Sequence, residues 1–190
     1  MKEKMKTKRK VLIVLGSPRK KGNSATLAAE LEKGVIAKGN IAEMVYLHNL
    51  GIEACRGCDY CKKGDNGCVI DDYMQKLYPK IIDADSIVFA TPVYWFSMSA
   101  QLKLFMDRCY ALFKGDEQVF KGKKVAVVMT YADEDVFGSG GVNVLRTFQD
   151  SFRFLKTEFV GTVHGSAWEA GAVSKNDKLM KKAFLLGEKL

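Results

Sequence analysis

The stretch Val11-Leu-Ile-Val-Leu-Gly-Ser-Pro-Arg-Lys-Lys-Gly-Asn-Ser-Ala-Thr26 decides the fold. Val11 to Leu15 is a short, wholly apolar run, the pattern of a strand buried on both faces within a parallel sheet. A polar loop, Gly16 to Asn23, follows at once with two glycines and a proline. Ser24 is expected to cap a helix whose apolar side is Leu27, Leu31, Val35 and Ile36. Strand, tight loop and helix start together set backbone N–H groups and small hydroxyls at the positive end of a helix dipole, where a phosphate fits. The loop lacks the Gly-Lys-Ser/Thr ending of a P-loop, and its glycines do not match Gly-x-Gly-x-x-Gly. Ser17, Arg19, Asn23, Ser24 and Thr26 offer one guanidinium with hydroxyl and amide donors, which suits a terminal phosphate monoester better than a bridging pyrophosphate. The same residues also serve an ordinary turn with a capping serine, so both readings stand at this point.

Working outward, four more strands alternate with four more helices. Ile41–Leu47 reads as the second strand. Asp71 or Asp72 is expected to cap a helix with Met74, Leu77, Tyr78, Ile81 and Ile82 along one side and Pro79 inside it. Ser86–Ala90 is the third strand, and Thr91-Pro-Val-Tyr-Trp-Phe-Ser97 is expected to be a loop at its carboxyl end. Three aromatics in a row there call for a planar ligand or a partner subunit to cover them. Ser99 opens a helix with Leu102, Phe105, Met106 and Cys109 inward, and Asp107 with Arg108 is expected to form an ion pair near its end. Lys124–Thr130 is the fourth strand, and the loop from Tyr131 to Gly141 carries three acids and three glycines. A helix marked by Val142, Leu145, Phe148 and Phe152, a strand at Glu158–Val163 and a closing helix complete the chain. The alternation predicts a doubly wound parallel sheet with helices on both faces. If the strand order is 2-1-3-4-5, the loops after strands one, three and four meet at one crevice.

Cys55-Arg-Gly-Cys58-Asp-Tyr-Cys61-Lys-Lys-Gly-Asp-Asn-Gly-Cys68 places four of the five cysteines within fourteen residues. In a reducing compartment such clustering favours metal or redox chemistry over structural disulfides. Two Cys-x-x-Cys units sharing the middle cysteine resemble the start of a ferredoxin cluster loop, although the last gap is longer and no proline follows Cys68. A [4Fe–4S] cluster, zinc, free thiols and a thiol–disulfide pair all remain open on spacing alone.

Bulk properties bound the class. The length of 190 residues suits one domain with a sizeable core. No apolar run approaches the roughly 20 residues of a membrane span, and no signal-peptide pattern is present, so a cytoplasmic protein without membrane contact is expected. Residues 1–10 hold six Lys/Arg and one Glu, which gives +5 of the net +8 and leaves +3 for the rest. A basic, disordered tail over 1–10 is therefore expected, followed by a single domain over 11–190, and nucleic-acid binding is not.

Gly16-Ser17-Pro18-Arg19 with Gly22-Asn23-Ser24, then Thr91-Pro92-Val93-Tyr94, then Ser99–Lys103 with Asp107-Arg108, resemble the NADPH-dependent FMN reductase-like branch of the flavodoxin superfamily. The compact cysteine run followed by Asp71-Asp72 resembles its iron–sulfur flavoprotein members. The resemblance implies an α/β, flavodoxin-like three-layer sandwich and an FMN-dependent oxidoreductase or electron-transfer flavoprotein. By position it implies that Ser17, Arg19, Asn23, Ser24 and Thr26 hold the FMN phosphate. Pro92, Val93, Tyr94, Trp95 and Phe96 would line the isoalloxazine ring, and Tyr131 with Gly138–Gly141, Gly140 among them, would close the other side. Cys55, Cys58, Cys61 and Cys68 would ligate a [4Fe–4S] cluster. It also implies a homodimer or homotetramer with the flavin near a subunit interface, serving a ferredoxin-type partner or a small acceptor such as a quinone. The rival within the same fold is an NAD(P)H-dependent FMN or quinone reductase without a cluster.

Overall fold

Along β1 (Lys10–Leu15), Val11, Ile13 and Leu15 face one way while Leu12 and Val14 face the other, and all five are buried. A strand covered on both faces needs an unbroken apolar run, which is what the sequence supplies. The computed structural model describes residues 8–64, 66–114 and 117–190, with only the backbone of residues 114, 117 and 118. Most of the expected basic tail, residues 1–7, lies outside the described residues. Its last residue, Lys10, belongs to β1, and its Nζ meets Asp83 at 2.6 Å.

After β1 come α1 (Asn23–Ala37), β2 (Ile41–Tyr46), α2 (Met74–Asp83), β3 (Ser86–Tyr94), β4 (Ser97–Met98) and α3 (Ala100–Arg108). Then follow β5 (Phe113–Lys114), β6 (Glu117–Gln118), β7 (Lys124–Tyr131), α4 (Gly141–Phe154), β8 (Glu158–Ser166) and α5 (Asp177–Gly187). The parallel strands lie in the order β2-β1-β3-β7-β8. The expected 2-1-3-4-5 numbering is corrected by insertion. The short β4 pairs antiparallel with β3, and a separate hairpin, β5-β6, intervenes before β7.

Three layers follow from the two cores. One face of the sheet packs on α1 and α5 through Leu27, Leu31, Val35, Leu179, Ala183 and Leu186. The other packs on α2, α3 and α4 through Leu77, Ile81, Leu102, Phe105, Phe148 and Phe152. The fold is α/β and flavodoxin-like. β1 and β3 run parallel, and the strand order reverses between them, so the carboxyl ends of these two strands flank a crevice where ligands bind in open α/β sheets.

Four local expectations are corrected. Gly22 caps α1 and Ser24 is its second residue, because the turn Gly22 N–H to Arg19 O (3.0 Å) closes earlier than a Ser24 cap would allow. Ile36 is exposed, at the rim of the apolar stripe. Thr91–Tyr94 continues β3, and the chain turns tightly at Trp95-Phe96 into β4. Arg108 does not pair with Asp107. Adjacent helix residues point apart, so Asp107 pairs with Lys103 one turn back and Arg108 reaches Asp72. The Ser99 cap is as expected, its Oγ accepting from Leu102 N–H at 3.3 Å.

Candidate functional site

The crevice has a narrow polar end and a wide aromatic end that share Val93, Tyr94, Tyr131, Ala132 and Trp168. The β1–α1 loop builds the narrow end. Ser17 and Ser24 are buried there beside the exposed Arg19, and the first N–H groups of α1 lack helical partners by construction. Ser17 Oγ accepts from Arg19 N–H at 3.1 Å, which folds the loop back over the helix start. A negatively charged group seated there would meet backbone donors, two small hydroxyls and one guanidinium.

Asn23 and Thr26 do other work. The Asn23 amide donates to Ala167 O (3.0 Å) and Glu169 O (2.8 Å), and its oxygen accepts from Val173 N–H (3.2 Å). Every hydrogen-bonding position used in these contacts is committed to the segment after β8, so Asn23 pins that segment against the cradle. Thr26 Oγ1 donates to Gly22 O at 3.0 Å, a bond internal to the helix start, and Thr26 is absent from the crevice lining.

Val93, Tyr94, Trp95 and Phe96 form one wall of the wide end, and Tyr131, Ala132, Asp133, Gly138 and Ser139 form the other. Pro92 lies at the narrow end. Trp95 and Phe96 have φ of 47° and 60°, the left-handed values of a tight hairpin usually made by Asn and Gly. Bulky residues rarely adopt them, and such strain persists where the surroundings over-determine it. Gly140 supplies that surrounding. It caps α4 at φ 75°, and a Cβ there would come within 2.5 Å of Phe96 Cα. Asn143 Nδ2 also donates to Phe96 O at 3.1 Å. Gly140 thus backs the aromatic wall without lining the crevice.

Beneath both ends, a buried hydroxyl knot ties the strands together. Ser99 Oγ donates to Gly16 O at 2.8 Å, and Ser99 N–H donates to Thr91 Oγ1 at 3.0 Å. Tyr131 is held by a 3.1 Å contact between its hydroxyl and His164 Nδ1. Burial, with Lys182 nearby, pushes the His164 imidazole below its ordinary value, which favours the neutral ring that can accept from the phenol.

Thr130, Ala132, Asp133 and Trp168 also line the crevice, outside the set expected from sequence. Trp168 follows the carboxyl end of the last strand, and the rule that ligands sit at strand carboxyl ends is the signal that points to it.

The cysteine loop lies apart from the crevice. Cys55 and Cys58 are exposed, Cys68 is half-buried and Cys61 is buried, and none is disulfide-bonded. Burial pushes the Cys61 thiol up, with Lys62 opposing and Cys68 and Cys55 adding to it, so Cys61 is within electrostatic reach of both of these thiols. Among the described residues no three His, Cys, Asp or Glu side chains close on a single metal ion. Lys62 anchors the loop, its Nζ donating to Tyr110 O at 2.6 Å and lying 3.7 Å from the Tyr110 ring centroid. Among the described residues no helix is long and apolar enough to cross a membrane.

Comparison with known proteins agrees with this geometry. The model of the NADPH-dependent FMN reductase family matches residues 9–169. An iron-sulfur flavoprotein of Methanocaldococcus jannaschii is 33% identical over 144 residues, covering 75% of this chain and 70% of that protein. Of the iron-sulfur flavoproteins from Archaeoglobus fulgidus, one matches over 55% of its length at 41% identity and another over 78% at 32% identity. A Bacillus subtilis protein named as an NAD(P)H-dependent FMN-containing oxidoreductase is 29% identical over 179 residues, covering 92% of this chain and 94% of its own. Among solved structures, an NAD(P)H:quinone oxidoreductase from Methanothermobacter marburgensis superposes with a TM-score of 0.74 at 18% identity, covering 96% of each chain. An archaeal flavodoxin superposes with a TM-score of 0.59 at 13% identity over 94% of each chain, and both likenesses speak for the fold alone. With its family model spanning most of the chain, the protein belongs to the NADPH-dependent FMN reductase family and is a flavin-dependent oxidoreductase.

Proposed function

We propose that the chain binds FMN in this crevice and carries a [4Fe–4S] cluster on Cys55, Cys58, Cys61 and Cys68 as a second redox centre. The observation that carries the flavin half is one crevice with a small-hydroxyl, guanidinium and helix-start cradle at one end and aromatic walls at the other. FMN supplies two-electron chemistry that can be released singly, and a cluster supplies one-electron chemistry. Ser17, Ser24 and Arg19 would hold the phosphate, Asn23 and Thr26 would shape the cradle, and Pro92 to Phe96 with Tyr131 would bracket the ring, Gly140 holding the hairpin in place. The four-thiol donor set suits a [4Fe–4S] cluster, and Cys61 lies within electrostatic reach of both Cys55 and Cys68. Trp95, Trp168 and Phe96 stand exposed at the crevice mouth, which supports a homodimer or homotetramer covering the flavin.

The second reading, an NAD(P)H-dependent FMN or quinone reductase without a cluster, is favoured by the lack of a closed metal site among the described residues and by the B. subtilis relative's match over nearly its full length. Anaerobic purification with flavin, iron and sulfide assayed on one sample separates the two. About four irons per chain beside FMN support the first reading. FMN without iron, together with steady NADPH oxidation, establishes the second, whereas reduction only by a ferredoxin-type donor favours the first. Cys58→Ser is expected to remove the iron and leave FMN bound; loss of both contradicts the assignment. Arg19→Ala removes a charge-assisted hydrogen bond from the cradle, and FMN binding measured by titration should weaken about tenfold. Unchanged affinity would place the phosphate elsewhere.

A further inference from the structure

Asp72 and Arg108 belong to sequence motifs that the crevice does not use, and they are the most deeply buried ion pair among the described residues, with side-chain exposures of 5% and 0%. Arg108 Nη1 donates to Asp72 Oδ2 and to Glu53 O (2.9 Å), and Nη2 donates to Asp72 Oδ1 (3.0 Å). The Asp72 carboxylate also accepts from Glu53 N–H (2.8 Å) and Met74 N–H (2.9 Å). Gln75 Nε2 donates to Cys68 O (2.9 Å) and Ile70 O (2.7 Å). Glu53 precedes the first loop cysteine, and Cys68 to Ile70 end the loop. One ion pair and one amide therefore grip both ends of the cysteine loop.

Arg108 is also the last residue of α3, whose first turn is capped by Ser99, the residue bonded to Gly16 at the crevice. Nine helical residues span about 13 Å, so one rigid element is tied at one end to Gly16, next to the crevice residue Ser17, and at the other to the cysteine loop. A buried ion pair adds little net stability over a well-packed apolar pair, because desolvation offsets the attraction. What it supplies here is a fixed position. The Arg108 Nε–H has no partner among the described residues, and the guanidinium is within electrostatic reach of Cys68.

We propose that Asp72, Arg108 and Gln75 are positioning residues that preset the cysteine loop, using α3 as a spacer of fixed length between the loop and the flavin crevice. The inference rests on the cluster reading for its use, but the presetting is a property of the protein without metal. The test compares the full-length protein with Asp72→Asn and with the milder Gln75→Ala, first without metal. Amide hydrogen exchange over residues 53–72 should quicken at least tenfold in Asp72→Asn and by less in Gln75→Ala, while β1 and the first turn of α3 keep their protection. After anaerobic reconstitution with iron and sulfide, Gln75→Ala should hold less than half the wild-type iron, keep its FMN, and show a shifted potential for the iron–sulfur centre with the flavin potential unmoved. Unchanged loop exchange in both variants overturns the proposal, and so does equal loss of FMN and iron. Wild-type protein that takes up no iron refutes the cluster reading instead, and the exchange data still decide the presetting.

Discussion

Gly140→Ala is expected to loosen the aromatic wall of the crevice and to destabilise the protein by about 2–4 kcal/mol. Two costs combine. At φ 75° an L-residue with a Cβ is strained, and the new methyl would fall on Phe96, within 2.5 Å of its Cα, where backbone rather than a flexible side-chain tip must give way. Phe96 cannot yield freely. It and Trp95 already hold left-handed φ values, and its carbonyl is fixed by Asn143. The hairpin must therefore shift as a unit, and Val93 to Phe96, which wall the wide end, shift with it. Thermal unfolding of the flavin-free protein should report the stability loss, and FMN titration should show affinity reduced about tenfold or more, at about 1.4 kcal/mol per factor of ten. An unchanged melting temperature would mean that Gly140 does not support the hairpin.

Arg108→Met should cost about 3–5 kcal/mol, the loss expected when one partner of a buried pair is removed and the other is left uncompensated. Met matches much of the aliphatic volume, so the deficit comes from the stranded Asp72 carboxylate and the freed Glu53 carbonyl. The pH dependence gives an independent check. Burial pushes the Asp72 carboxyl up, but hydrogen bonds from Arg108 and from the Glu53 and Met74 N–H groups outweigh it and hold it below its ordinary value. A depressed carboxyl contributes stability that is present above its ordinary pKa of about 4 and is lost as pH falls through the lower native value. Wild-type protein should thus lose this contribution on acidification. In Arg108→Met the main opposing hydrogen bond is gone and burial counts for more, so that acid-dependent loss should shrink or reverse. Urea midpoints at several pH values read both effects, and equal midpoints for the two proteins at neutral pH would remove the pair's importance.

What could be read from the sequence depended on how local its causes are. The Val11–Leu15 run and the polar loop after it carry their own signal, since a doubly covered strand must be apolar throughout and a helix start must offer donors. The cap of Ser99 is equally local. The misread segment is Thr91–Ser97. Pro92 and three aromatics argue for a loop, yet β3 runs through Tyr94, with Pro92 opposite Thr130 on β7, and Trp-Phe makes a turn that usually takes Asn-Gly. Gly140, 44 residues away in sequence from Phe96, makes that turn tolerable, and no short window contains both. Asn23 reads as part of a phosphate cradle from its neighbours, while its side chain is bonded to partners 144–150 residues on, which no local reading reaches. Arg108 was within reach of sequence reasoning. Its neighbour Asp107 lies about 100° around the helix, so the local pair was excluded by geometry, although only the folded chain names Asp72.

FMN is proposed to occupy the crevice at the carboxyl ends of β1, β3 and β7, and the tryptophans give this placement a direct reporter. The chain has two, Trp95 and Trp168, and both line the wide end. Titrating flavin-free protein with FMN while following intrinsic tryptophan emission should quench most of it, saturating at one FMN per chain, with the quench weakened in parallel in Gly140→Ala and Arg19→Ala. Saturable FMN binding that leaves the tryptophan emission unchanged would put the flavin somewhere else on the molecule.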